Sequence, residues 1–171
     1  MKILVDADAC PVKMIIEEIA KQYSISVLMI IDTSHEYYSD YAETIQVSQS
    51  PNAVDLALFN RTEKGDIVVT NDYGVASMVL GKRAYAINNN GRQYTDHNID
   101  QLMYERHIAA KQRKVGLYSM SMRRRTKEDD EHFREGFTRL IMQAIKANSN
   151  EKAKCNNYSI NKNVSCRVKR K

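Results

Sequence analysis

Short runs of aliphatic and β-branched residues alternate with longer stretches of helical period between Lys2 and Ile87, and this alternation limits the fold more than any other feature. Lys2–Asp6, Ser26–Ile31, Thr44–Val47, Ile67–Thr70 and Ala84–Ile87 read as strands. Between them, Val12–Tyr23 is amphipathic, and Pro11 suits a first helical turn because its missing N–H has no partner to lose there. A second helix starts around Ser50-Pro51-Asn52 and runs through Asn60, and a third covers Tyr73 to Leu80, with Gly81 as its stop. Strands separated by helices cannot pair through tight hairpins, so the pattern predicts an α/β fold with a mainly parallel sheet of about five strands. Asn88–Gly91 reads as a turn, since Asn and Gly tolerate positive φ. Helical character follows at Ile99–Lys114 and again from Thr126, whose hydroxyl and the Asp129 carboxylate three residues on fit a capping box.

Charge divides the chain in two. The formal net charge is +5 over 171 residues, yet residues 148–171 hold seven Lys/Arg against Glu151 alone. Residues 1–147 therefore carry 19 basic and 20 acidic side chains and are almost neutral. We read 1–147 as one α/β domain and 148–171 as a basic, disordered and solvated tail, because the latter is polar and lacks any hydrophobic period. No apolar run reaches the roughly 18 residues of a membrane helix, so no membrane partner is expected. Asp6 interrupts the apolar start before it could serve as a secretory signal, so a cytoplasmic location is the expectation. Cys10, Cys155 and Cys166 match no zinc spacing and read as free thiols, with a disulfide in the tail as the alternative.

The carboxylates carry the chemistry. Ligand sites in open α/β sheets lie beyond the carboxyl ends of the strands, and Asp6, Asp8, Asp32 and Asp72 all follow strands. Like charges gathered on one rim repel, and a hard divalent ion such as Mg²⁺ or Mn²⁺ relieves the repulsion by taking oxygen ligands. The four histidines are scattered, which disfavours softer metals. Asp55 is the one polar residue in Ala53–Phe59 and requires either a partner or a first-turn position at a helix dipole. Asp8 and Asp72 also stand where helix caps would, and Asp32 and Asp66 read as turn residues. No nucleophile elbow, P-loop or dinucleotide fingerprint competes.

Val5-Asp-Ala-Asp-Ala-Cys-Pro11, Gly65-Asp-Ile-Val-Val-Thr-Asn-Asp72, the Asn88–Thr95 turn and Thr126-x-x-Asp129-x-x-x-Phe133 together resemble the YaiI/YqxD family of bacterial proteins, over roughly residues 1–145. That family in turn resembles the PIN-like nucleases. The resemblance implies a Rossmann-like three-layer sandwich and an acidic cluster that uses Mg²⁺ or Mn²⁺ to cleave RNA or flap-like DNA. Carried over residue by residue, it implies Asp6 and Asp72 as catalytic metal ligands, with Asp55 on its helix and Asp8 as a family-specific addition.

Residues 106–127 hold eight Lys/Arg and no acid. Arg113, Lys114, Arg123, Arg124 and Arg125 are the candidate phosphate contacts for a nucleic acid, RNA in the first instance, with Tyr118 for base stacking. A solvated helix face and linker is the competing reading of the same segment. The preferred function is a metal-dependent nuclease or phosphodiesterase. A non-catalytic nucleic-acid-binding module of the same fold and a small-molecule phosphohydrolase are the alternatives.

Overall fold

The computed structural model describes residues 1–8, 10–114 and 124–168, of which 113, 114 and 151–168 are described by their backbone alone. Six strands form a single sheet: Ile3–Asp6 (β1), Val27–Asp32 (β2), Glu43–Val47 (β3), Ile67–Val69 (β4), Tyr85–Ile87 (β5) and Gln93–Tyr94 (β6). Five helices join and cover them: Lys13–Gln22 (α1), Ala53–Arg61 (α2), Tyr73–Gly81 (α3), Ile99–Lys114 (α4) and Lys127–Val168 (α5). The strand order is β3-β2-β1-β4-β5-β6, with every pair parallel except β5–β6. The α/β expectation holds, and the arrangement is that of a Rossmann-like sandwich.

Pleating assigns the apolar residues to two layers. Ile3, Val5, Met29, Ile31, Ile67, Val69 and Ile87 pack on one face, against Ile16 and Ile19 of α1 and Phe133, Phe137, Leu140 and Ile141 of α5. Leu4, Leu28, Ile30, Val68 and Ala86 pack on the other, against Leu58 of α2, Val75 and Val79 of α3, and Ile99 and Leu102 of α4. Strands covered on both faces must be apolar throughout, which is why β1, β2 and β4 read as unbroken hydrophobic runs. Edge strand β3, by contrast, exposes Glu43 and Gln46, and charge at an edge discourages pairing with another chain.

The structure departs from the sequence reading at β6 and at the start of α1, where Pro11 precedes the N-cap instead of lying in the first helical turn. The chain after the Asn88–Gly91 turn returns as a sixth, antiparallel strand, which the sequence does not announce because Gln93–Tyr94 is too short to show a period. Asp8 does not cap α1; Val12 occupies the N-cap with no side-chain bond, since Asp8 is engaged elsewhere. The backbone of α5 runs from Lys127 to Val168. Among the described side chains of α5, Ala144 is nevertheless the last that is buried.

α5 is docked through a close backbone approach. Gly91 has φ +81°, and a Cβ on Gly136 would run into the carbonyl oxygen of Gly91, with its carbon and Cα at 3.0 Å. Phe133 and Phe137 stack beside this contact at 5.2 Å between ring centroids, and each buried aromatic contributes about 1.5–3 kcal/mol. Gly136→Ala should therefore destabilise the protein by about 1–3 kcal/mol in denaturant melts, although alanine is the better helix former. Gly81→Ala, whose Cβ would meet nothing within 4 Å, should be neutral or mildly stabilising. Equal effects of the two changes would contradict the docking geometry.

Candidate metal centre

β1 lies between β2 and β4, so the chain winds outward in one direction through β2 and in the other from β4. Helices α1 and α3 leave this point on opposite faces, which opens a crevice beyond the carboxyl ends of β1 and β4. Asp6 ends β1 there, half-buried. Thr70, buried at the end of β4, donates its hydroxyl to Asp6 Oδ2 at 3.1 Å and accepts the Asp72 backbone N–H at 3.0 Å. One hydroxyl thus ties the two strand ends together.

Asp72 is the N-cap of α3. Its Oδ1 accepts from the N–H groups of Gly74 (2.6 Å) and Val75 (3.3 Å), which satisfies two otherwise unpaired helix donors. Its other oxygen, Oδ2, faces the Arg106 guanidinium of α4 at 3.5 Å. Asp55 enters from the first turn of α2, where the helix dipole favours an acid. Burial pushes the Asp6 carboxyl above the ordinary carboxylate range; the Thr70 hydroxyl opposes this, and the charges of Asp55, Asp8 and Asp72 add to it. Burial, followed by the charge of Asp72, raises Asp55 as well. Asp6 therefore feels all three of the other carboxylates that the sequence singles out.

Asp8 turns towards β2. The parallel register pairs Asp6 with Ile30, so Asp8 arrives opposite Asp32. Both Asp8 oxygens accept from the Asp32 backbone N–H, at 3.0 and 3.3 Å. His35 Nδ1 lies 3.3 Å from Asp8 Oδ1 and 2.9 Å from Asp32 Oδ1. Hydrogen bonds from the Ser34 hydroxyl first, then from His35, draw the Asp32 carboxyl down to about 2. Among the described residues, Asp8, Asp32 and His35 are the one trio whose ligand atoms all lie within 4.8 Å of one another. Asp6, Asp55 and Asp72 are more widely set.

Residues 4–143 match the family described as "Uncharacterized BCR, YaiI/YqxD family". The chain belongs to the YaiI/YqxD family. Among curated relatives, a UPF0178 protein of Lachnoclostridium phytofermentans is 55% identical over 144 residues, covering 82% of this chain and 97% of the relative. Another from Ruminiclostridium cellulolyticum is 52% identical, covering 82% and 92%, and one from Clostridium acetobutylicum is 48% identical, covering 84% and 98%. No solved structure matches the chain. The YaiI/YqxD match takes in every aspartate of the crevice and ends beside Ala144 of α5.

The basic candidates of this YaiI/YqxD protein fare differently from one another. Arg124 is exposed. Arg125 is engaged internally: it pairs with Asp130, donates to the Asp129 carbonyl at 3.1 Å and reaches Asn90 Oδ1 at 3.4 Å. The backbone of Arg113 and Lys114 closes α4, while their side chains, together with Arg123 and Tyr118, lie outside the described residues. Cys10 is buried and donates to Asn89 Oδ1, and burial pushes its thiol up to about 11, which makes it a packing group rather than a nucleophile. Asp32 does fill the turn role that the sequence suggests, accepting from Ser34 N at 2.8 Å, but it also joins a cluster with His35, a residue that no sequence pattern marks out. Among the described residues no helix is long and apolar enough to cross a membrane.

The donor set around Asp6 fits a hard cation. It is all carboxylate oxygen, it holds Asp6 in a place that disfavours its charge, and Mg²⁺ commonly uses only one or two carboxylates and keeps its waters. The raised Asp6 carboxyl also has a consequence for stability. A group whose pKa is higher in the folded state than in the unfolded chain contributes stability below its unfolded value, and this is lost as pH rises through the folded value. In chelator, the contribution of Asp6 to thermal stability should therefore fall as pH climbs from the ordinary aspartate value of 3.8. Asp6→Asn should flatten that fall in melts across the same range, and an unchanged slope would contradict the electrostatic picture.

Proposed function

We propose that this YaiI/YqxD protein is a metal-dependent phosphodiesterase that cleaves nucleic acid, RNA in the first instance, in the cytoplasm. The observation that carries the reading is the Thr70 hydroxyl that joins Asp6 to the Asp72 backbone at the switch point of a parallel sheet, where burial and the charges of Asp55, Asp8 and Asp72 push Asp6 towards neutrality. The resemblance of its motifs to PIN-like nucleases supports the choice of substrate.

In this reading Asp6 and Asp72 are the principal ligands of Mg²⁺ or Mn²⁺. Asp55 contributes charge from α2, and Asp8 contributes it from beside β2. When bound, such a cation activates water and offsets charge on the phosphate. Thr70 keeps Asp6 in one orientation through its hydroxyl. Capping fixes Asp72 with one oxygen committed to α3 and the other turned away from it. Cation uptake competes with protonation at Asp6, so affinity rises with pH.

Cleavage of single-stranded and structured RNA and of flap-like DNA tests the proposal, with Mg²⁺ or Mn²⁺ and then with chelator. Asp6→Asn and Asp72→Asn should each reduce the rate by more than the roughly 10–100-fold that losing an outer partner of a metal site costs. Asn caps a helix about as well as Asp, so Asp72→Asn removes charge while keeping α3 capped. Activity that survives both changes, or that ignores chelator, would overturn the proposal. Salt-sensitive RNA retention without cleavage or metal dependence would point instead to a binding module, and turnover of phosphorylated metabolites alone to a phosphohydrolase.

A further inference from the structure

α4 is polar over most of its length, with Ile99 and Leu102 buried among its described side chains, yet its middle turn sends Arg106 to the carboxylate crevice. Arg106 meets the one Asp72 oxygen that the α3 cap leaves uncommitted, Oδ2, at 3.5 Å. Its guanidinium also lies over the Tyr73 ring, 5.3 Å from the centroid, and Tyr73 is braced edge-on by Tyr94 at 5.6 Å. A cation–π contact of this kind orients the planar guanidinium without using up its N–H donors. Arg106 remains 53% exposed, so those donors stay open to solvent.

The geometry points to Arg106 as the resident counter-ion of the crevice, one that yields Asp72 to a divalent cation and then binds a phosphate of the nucleic-acid substrate. This rests on the metal-dependent reading above. A cation held by Asp6 and Asp72 would draw on the same Oδ2, because Oδ1 accepts from Gly74 and Val75. Two cations cannot share that oxygen at close range without repulsion. Displaced from Asp72 but still resting on Tyr73, the guanidinium would keep its planar donor fork free, a geometry suited to two phosphate oxygens. Arg106 is thus a phosphate-binding residue whose position responds to cation binding in the crevice.

Mn²⁺ binding to the full chain, followed by electron paramagnetic resonance and calorimetry, separates this from a structural role. Arg106→Gln removes the competitor and should tighten Mn²⁺ about two- to fivefold, the scale of an exposed ion pair, whereas loss of a merely structural contact would loosen it. Arg106→Lys keeps the charge and should bind Mn²⁺ like the wild type. With Mn²⁺ present, binding of a cleavage-resistant phosphorothioate RNA should weaken in Arg106→Gln, and its log–log salt slope should become shallower by about 0.7. Arg106→Lys should restore most of that slope. Unchanged or weaker Mn²⁺ affinity in Arg106→Gln, or an unchanged slope, would overturn the assignment. If the wild type binds no Mn²⁺, the metal reading itself fails and takes this one with it. If Asp6→Asn abolishes Mn²⁺ binding while Arg106→Gln behaves as the wild type, only the role of Arg106 falls.

Discussion

The Thr70 hydroxyl is the joint on which the crevice turns. It donates to Asp6 and accepts from the backbone of Asp72, and so fixes the end of β1 relative to the start of α3. This is possible because β1 and β4 are parallel neighbours in register, Val5 opposite Val69, although distant along the chain. Without that pairing, the carboxylates would be as far apart in space as they are in sequence. With it, burial and the charges of Asp55, Asp8 and Asp72 raise the cost of charging Asp6.

Partners are distributed unevenly among these carboxylates. Asp72 has Arg106, and Asp8 has the Asp32 backbone and His35. Asp6 has a hydroxyl, which opposes the shift but supplies no positive charge. A structural carboxylate elsewhere in the molecule is treated differently: Asp66, which is more deeply buried, accepts from the N–H groups of Lys2 and Glu63 and faces the Lys2 ammonium at 3.5 Å. The contrast separates an acid that holds the fold together from one that the fold holds at a disadvantage, and the second kind is what functional sites collect.

Most of the sheet is legible in the sequence because its central strands are buried on both faces and must be apolar, as Ile3–Val5, Val27–Ile31 and Ile67–Val69 are. The topological rule then places Asp6 and Asp72 on one rim. What stays hidden depends on register and on side-chain reach. Asp32 joins Asp8 because Asp6 pairs with Ile30, so the residues two positions beyond that pair also meet; the matching offsets are in the sequence, but only the known pairing gives them meaning. His35 follows from the Asp32 turn. Arg106 is one basic residue in a basic segment, and its contact with Asp72 depends on how α4 packs against α3. β6 is too short to carry a pattern and owes its place to the Asn88–Gly91 turn.

Two groups of side chains are candidate cation sites, and their chemistry differs: carboxylates alone around Asp6, or two carboxylates with an imidazole at Asp8, Asp32 and His35. Anomalous diffraction from a crystal soaked in Mn²⁺ distinguishes them directly. The expected result is a peak within about 2.0–2.6 Å of oxygens of both Asp6 and Asp72, with the Arg106 guanidinium displaced from Asp72. A peak held by Asp8, Asp32 and His35 alone, or no peak at a carboxylate of the crevice, would contradict it.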